Sequence, residues 1–141
     1  IFGALDDGSG NYFVKQIEFP EVFDGAAIID IKASGICGSD LHMTNERIEP
    51  QTIPSGHEIA GEIIELPKSY TGNLAIGDRV AIDNIGAGKS CSNYYCNYGQ
   101  FRHCVNPSPE TGGGFSQFIT RKPSGLFKIS DQMDWNDGAL V

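Results

Sequence analysis

The sequence predicts a mostly β protein, an antiparallel barrel or sandwich carrying short helices and one irregular lobe. Short apolar segments rich in Ile, Val and Ala recur along the chain, with Gly, Pro and Asp turns between them, the pattern of an antiparallel β architecture. No strand–helix–strand alternation is visible, so a Rossmann domain is not expected within these residues. Residues 86–109 are dense in Cys, Asn, Tyr and Gly and show no periodicity, which marks them as the irregular lobe.

Taken in order, residues 1–20 alternate weakly around the turn signal Asp6-Asp7-Gly8 and read as a hairpin. Residues 26–33 are a strong strand that stops at Ser34-Gly35. Residues 39–43 suit one short helical turn with Ser39 or Asp40 as its cap. Residues 50–56 form a loop. Residues 58–66 are a second strand, in which Gly61 signals a bulge or a close backbone approach. Gly77-Asp78 turns the chain into a strand at 79–82. Residues 114–121 and 126–129 read as two more strands. Residues 134–141 look like the start of a helix with Asp134 as its cap.

The chain has 141 residues, which suits one domain with a sizeable core. It opens at Ile1 without Met or a basic leader and reads as a piece of a longer protein. No apolar run reaches membrane-spanning length, and no signal peptide pattern is present. The formal net charge is −8, without a Lys/Arg cluster, which argues against nucleic acid or an anionic membrane as a partner. One of the four cysteines, Cys37, stands apart beside Ser, Asp and His, while Cys91, Cys96 and Cys104 cluster in the lobe. That pattern fits metal binding in a reducing, cytoplasmic compartment better than a disulfide framework.

The run Cys37-Gly38-Ser39-Asp40-Leu41-His42, followed by Gly56-His57-Glu58, offers a thiolate, an imidazole and a carboxylate. These are the donors that zinc takes at about 2.0–2.3 Å. A hydroxyl and a second imidazole lie beside the first donor, so the set reads as a Lewis acid with a proton path. Three other motifs fail on inspection. Gly86-Ala87-Gly88-Lys89-Ser90 has Asp83 where a phosphate loop needs Gly; Gly112 and Gly114 would need Gly at 117, which is Gln117; and Gly61 stands where a metalloprotease helix after His57-Glu58 needs its second His.

Together these residues resemble the catalytic domain of the zinc-dependent medium-chain alcohol dehydrogenases, over nearly the whole chain. The motifs that carry the resemblance are Gly35-Ile36-Cys37-Gly38-Ser39-Asp40-Leu41-His42, Gly56-His57-Glu58-Ile59-Ala60-Gly61, Gly77-Asp78-Arg79-Val80 and Gly113-Gly114-Phe115-Ser116-Gln117-Phe118. The Cys-Gly-Ser-Asp variant is most similar to the polyol and threonine dehydrogenase branch. The resemblance implies a GroES-like β-barrel over residues 1–141. It also implies a catalytic Zn2+, an alcohol or polyol substrate, and NAD or NADP bound by a Rossmann domain that these residues do not contain. It implies a homo-oligomer for the full-length enzyme, and little activity for this part alone.

By the same resemblance Cys37 and His57 are zinc ligands, and Glu58 is an alternative or water-bridged ligand that exchanges as substrate enters. Ion pairing of Glu58 with an arginine stays open, since a regular strand would point it away from His57. Asp40 either holds the His57 imidazole in one tautomer or caps the helix, and both can hold. Ser39 is expected to take the hydroxyl proton and pass it through the nicotinamide ribose to His42. Gly38, Ser39 and His42 are expected to face the cofactor.

The lobe departs from the family. Counted back from Cys104, the four structural-zinc positions are Ser90, Asn93, Cys96 and Cys104, and Ser and Asn are not usual zinc ligands. The structural zinc is expected to be lost, with Tyr94, Tyr95, Tyr98 and Phe101 packing the lobe. A rearranged site from Cys91, Cys96, Cys104 and His103 is the alternative. For the whole chain the alternatives are a zinc-free quinone or enoyl reductase and a non-catalytic metal-binding module of the same fold.

Overall fold

The computed structural model describes residues 1–46, 49–84, 94–100, 103–105 and 111–141. The order of elements is β1 (Phe2–Asp6), β2 (Tyr12–Gln16), β3 (Ala27–Gly35), α1 (Gly38–Glu46), β4 (Glu58–Glu65), β5 (Arg79–Ile82), α2 (Tyr94–Asn97), β6 (Phe118–Arg121), β7 (Leu126–Lys128) and α3 (Trp135–Ala139). Strands β1 and β2 form the hairpin expected from Asp6-Asp7-Gly8. The other five form one sheet in the order β6-β3-β4-β5-β7, with every neighbouring pair antiparallel. The two sheets meet through residues 115–117. Gly3 bridges Ser116, the Ala4 amide donates to the Phe115 carbonyl at 2.7 Å, and the Ile31 amide donates to the Gln117 carbonyl at 2.9 Å.

The sheet buries both faces, and strand alternation divides the residues between them. Ile29, Ile59, Ile63, Val80, Ile82 and Ile119 share the larger core. Complete burial of each such side chain is worth about 1.5–3 kcal/mol. The opposite face is lined by the small residues Ala60 and Ala81, against which Ile129 and Ala139 of the C-terminal segment pack. Small side chains there let α3 approach closely: a Cβ on Gly138 would come within 3.3 Å of the Ala60 Cβ and 2.6 Å of the Ile129 Cδ1. Asp134 caps α3 as expected, accepting from the Asn136 amide at 2.8 Å.

Gly61 is a close-approach glycine. A Cβ there would lie 2.5 Å from the Asp30 carbonyl oxygen, and it sits opposite the register shift between Ile31 and Ala33.

Two expectations are corrected. The strand expected at 114–121 is confined to Phe118–Arg121, because residues 113–116 turn against Ser55 and Gly56 instead of extending. The single helical turn expected at 39–43 is a nine-residue helix, α1, and neither Ser39 nor Asp40 is its cap. Its buried side chains are the polar Asp40 and Thr44, one turn apart, while Leu41 is 60% exposed. An apolar stripe is the usual sequence sign of a helix, and here the inward stripe is polar. No helix among the described residues is long and apolar enough to cross a membrane.

Candidate metal centre

The paired ends of β3 and β4 bring the donors together. Gly35 is the register partner of Glu58. Cys37 follows β3 by two residues, and His57 immediately precedes β4. One ligand atom each from Cys37, His57 and Glu58 lies within 4.8 Å of the others, and this is the one such three-donor group among the described residues. The alternation that would point His57 and Glu58 apart does not apply, because His57 lies outside the strand. It follows Gly56, whose φ of +94° turns the chain into β4. A side chain at Gly56 would also meet the Phe115 ring, 2.8 Å from a Cβ placed there.

Gly35 has a second role that its sequence did not announce. A Cβ at this position would overlap the Glu58 carboxylate, so the missing side chain is what lets Glu58 lie over the end of β3. No arginine among the described residues pairs with Glu58.

Asp40 sits at the third position of α1 and is 2% exposed. Its Oδ2 accepts from the Cys37 amide at 2.9 Å. This is the reach-back half of a capping box, which satisfies a free N–H at the helix start. Its Oδ1 is buried without a hydrogen bond and lies 3.7 Å from the His57 Nδ1.

A divalent ion fits this donor set. With Nδ1 turned to Asp40, Nε2 is the nitrogen left for a metal. Coordination there requires the proton on Nδ1, which gives Oδ1 the donor it lacks. Thiolate, imidazole and carboxylate suit zinc.

Ser39 Oγ lies 3.5 Å from the His57 Nε2. His42 points elsewhere: its ring is 74% exposed and its Nε2 is 3.2 Å from Glu46 Oε1 on the same helix. A cleft of about 690 Å³ opens over these groups, lined by Ser39, His57, Glu58, Asn84, Phe127 and Leu140 among others. Gly38 is exposed, with open space where a side chain would be.

In the lobe, Cys96 is buried, Cys104 is half-buried, and neither is in a disulfide. With His103 they form no three-donor group among the described residues. The tyrosines pack on one another, with Tyr94 and Tyr98 ring centres 4.8 Å apart and the Tyr95 ring 5.6 Å from that of His103. Ser90, Cys91, Asn93 and Phe101 lie outside the described residues.

Sequence reasoning missed three residues besides Gly35. Asn84 Nδ2 donates to the His57 carbonyl at 2.8 Å. Arg121 Nε donates to Asn84 Oδ1 at 3.0 Å. Tyr12 shares a hydroxyl hydrogen bond of 3.0 Å with Thr44 on α1. No spacing rule points to them, because each acts across strands far apart in sequence.

An antiparallel β domain that gathers a thiolate, an imidazole and a carboxylate at a cleft has a recognised counterpart. The chain belongs to the alcohol dehydrogenase GroES-like domain family, whose sequence model matches residues 24–131. It is 33% identical over 144 aligned residues to (R,R)-butanediol dehydrogenase of Bacillus subtilis, covering 91% of this chain and 40% of that protein. It is 31% identical over 123 residues to L-threonine 3-dehydrogenase of Pyrococcus horikoshii, covering 80% of this chain and 34% of that protein. The crystal structure of galactitol-1-phosphate dehydrogenase from Escherichia coli superposes with a TM-score of 0.80 at 26% identity, over 99% of this chain and 41% of that one. The chain thus spans about a third to two fifths of the length of these relatives.

Proposed function

We propose that this chain is the metal-bearing catalytic domain of a zinc-dependent, NAD(P)-linked dehydrogenase that oxidises a small alcohol or polyol to a ketone or aldehyde. The observation that carries the reading is the convergence of Cys37, His57 and Glu58 within 4.8 Å, backed by the partnerless buried Oδ1 of Asp40. The names of the relatives, which are dehydrogenases of a diol, of threonine and of a polyol phosphate, support the reaction class. A zinc-free reductase would have no use for Asp40 behind His57, and a non-catalytic metal-binding module would have none for Ser39 in front of it.

When bound, zinc supplies a Lewis acid that acidifies an alcohol hydroxyl, and the nicotinamide supplies the hydride acceptor. The chain's own residues do the rest. Cys37 and Glu58 bring negative charge to the donor set. Asp40, its Oδ1 3.7 Å from the His57 Nδ1, stands ready to accept a hydrogen bond from that nitrogen and so to aim Nε2. Ser39 offers a hydroxyl at the cleft wall that accepts the substrate proton. His42, exposed on α1, exchanges a proton with solvent. Phe127 and Leu140 supply apolar wall to the cleft.

Zinc per chain, measured by elemental analysis for the unchanged chain, Cys37→Ser and Cys96→Ser, tests the reading. Loss of zinc with Cys37→Ser alone is expected. Loss with Cys96→Ser alone would move the metal to the lobe and overturn the assignment.

A further inference from the structure

His57 lies just before β4, outside the ladder that Glu58 begins with Gly35. Its carbonyl is held from another direction, by Asn84 Nδ2 at 2.8 Å. Asn84 follows β5 and lines the cleft. Arg121, at the end of β6, donates from Nε to Asn84 Oδ1 at 3.0 Å. The guanidinium is itself anchored: Nη1 donates to Thr111 Oγ1 and to the Thr120 carbonyl, each at 2.9 Å, and Nη2 donates to the Gly112 carbonyl at 2.7 Å.

The orientation of the Asn84 amide follows from chemistry. A guanidinium only donates, so Oδ1 must face Arg121. A backbone carbonyl only accepts, so Nδ2 must face His57. The amide is therefore a one-way link, with its acceptor end on the guanidinium and its donor end on the carbonyl. A carboxylate at 84 would keep the arginine but present an oxygen to the His57 carbonyl.

We propose that Asn84, aligned by Arg121, is a positioning residue that fixes the His57 backbone and thereby the aim of its imidazole. Its consequence for metal binding rests on the assignment of Cys37, His57 and Glu58 as the donors. Asp40 restrains the ring from the α1 side, and Asn84 restrains the backbone from the β5 and β6 side. The two restraints come from different parts of the chain and act on different atoms.

The test uses the 141-residue chain, its near-isosteric variant Asn84→Asp, and Arg121→Lys. In the metal-free chain the His57 ring resonances are followed by proton–nitrogen correlation NMR. Both variants are expected to shift them, while circular dichroism and the midpoint of thermal unfolding establish that the fold is kept. With Co2+ in place of zinc, the thiolate-to-cobalt absorption is expected to change shape, and affinity to fall roughly 10- to 100-fold, the usual range for groups that orient a ligand. Asn84→Gln, which keeps both a donor and an acceptor, is expected to recover part of the affinity. Ring resonances unmoved by either variant would overturn the proposal, whatever metal binds. A chain that takes up no cobalt through Cys37 would instead count against the proposed function, because the NMR comparison needs no metal.

Discussion

Asp40 presents its two carboxylate oxygens to two different elements of the site. Oδ2 accepts the Cys37 amide at 2.9 Å, and Oδ1 lies 3.7 Å from the His57 Nδ1. One buried side chain thus ties the start of α1, where one donor sits, to the imidazole of another. Asp40→Asn keeps the shape but weakens the charge-assisted partner of Nδ1. It is expected to lower zinc affinity roughly 10- to 100-fold. Asp40→Ala should add about 1 kcal/mol of destabilisation through the lost helix-start bond. Chelator competition and denaturant unfolding separate the two effects; equal zinc affinity in all three proteins would remove Asp40 from the site.

Gly35→Ala tests the cradle under Glu58. The added Cβ overlaps the carboxylate and lies 3.1 Å from the Glu58 Cβ. The carboxylate should swing away, and zinc affinity should fall to about that of Glu58→Ala. Combining the two substitutions should cost little more than either alone, because they remove the same donor. Additive losses in chelator competition would mean that Gly35 acts on something other than Glu58.

A stacked pair helps to hold the C-terminal helix on the sheet. The Arg79 guanidinium lies 3.6 Å from the centre of the Trp135 ring, and its Nη2 donates to the Met133 carbonyl at 2.5 Å. Replacing Trp135 by Leu should cost about 0.5–2 kcal/mol through the lost cation–π contact. Gly138→Ala, which overfills the contact with Ile129 and Ala60, should cost about 1–3 kcal/mol. Both are read by urea unfolding. Because Ala139 and Leu140 line the cleft, either change should also increase exposure of that wall to hydrogen exchange.

Asp78 and Lys128 join the turn before β5 to β7. The bond from Lys128 holds the Asp78 carboxyl below its ordinary value of 3.8, helped by the Ala75 amide. The same bond raises Lys128 above 10.5. A depressed carboxyl stabilises the fold at pH above its unfolded value, and that contribution disappears as pH falls through the folded value. The raised lysine contributes below 10.5 and is lost as pH climbs past its folded value. Asp78→Asn should therefore be less stable than the unchanged chain at neutral pH by a small, salt-sensitive margin. That margin should close below pH 3.8. A gap that persists in acid would assign the effect to the turn alone.

The strands were legible because their burial pattern is written in period two. Ile59, Ile63, Val80 and Ile82 face one core while Ala60 and Ala81 face the other. The donors were legible for a different reason: Cys37, His57 and Glu58 are residue types with metal chemistry, placed beside glycines. Helix α1 was read too short because its inward residues, Asp40 and Thr44, carry no hydrophobic signal. The supports of the site were not legible at all. Asn84, Arg121 and Tyr12 reach it from the end of β5, from β6 and from β2, and only folding makes them neighbours. The placement of His57 and Glu58 on one side depended on whether the strand includes residue 57, a boundary that propensity does not resolve.

Strands β3 and β4 carry two irregularities, between Ile28 and Ile29 and between Ile31 and Ala33. The first leaves Ile64 over on β4 and the second leaves Lys32 over on β3, so the pairing Gly35 with Glu58 keeps the same offset as Ile28 with Glu65. The two slips cancel. Deleting the left-over Lys32 would straighten the ladder and leave Gly35 opposite Glu58, whereas deleting the paired Ser34 with that bulge kept would carry Gly35 and Cys37 one step along β4, away from Glu58. Lengthening the connection from 66 to 78 would leave the donors where they are, since doubling a loop costs only about 0.6 kcal/mol. The domain should therefore tolerate length variation between its strands and resist it within this pair, whatever residues occupy the positions.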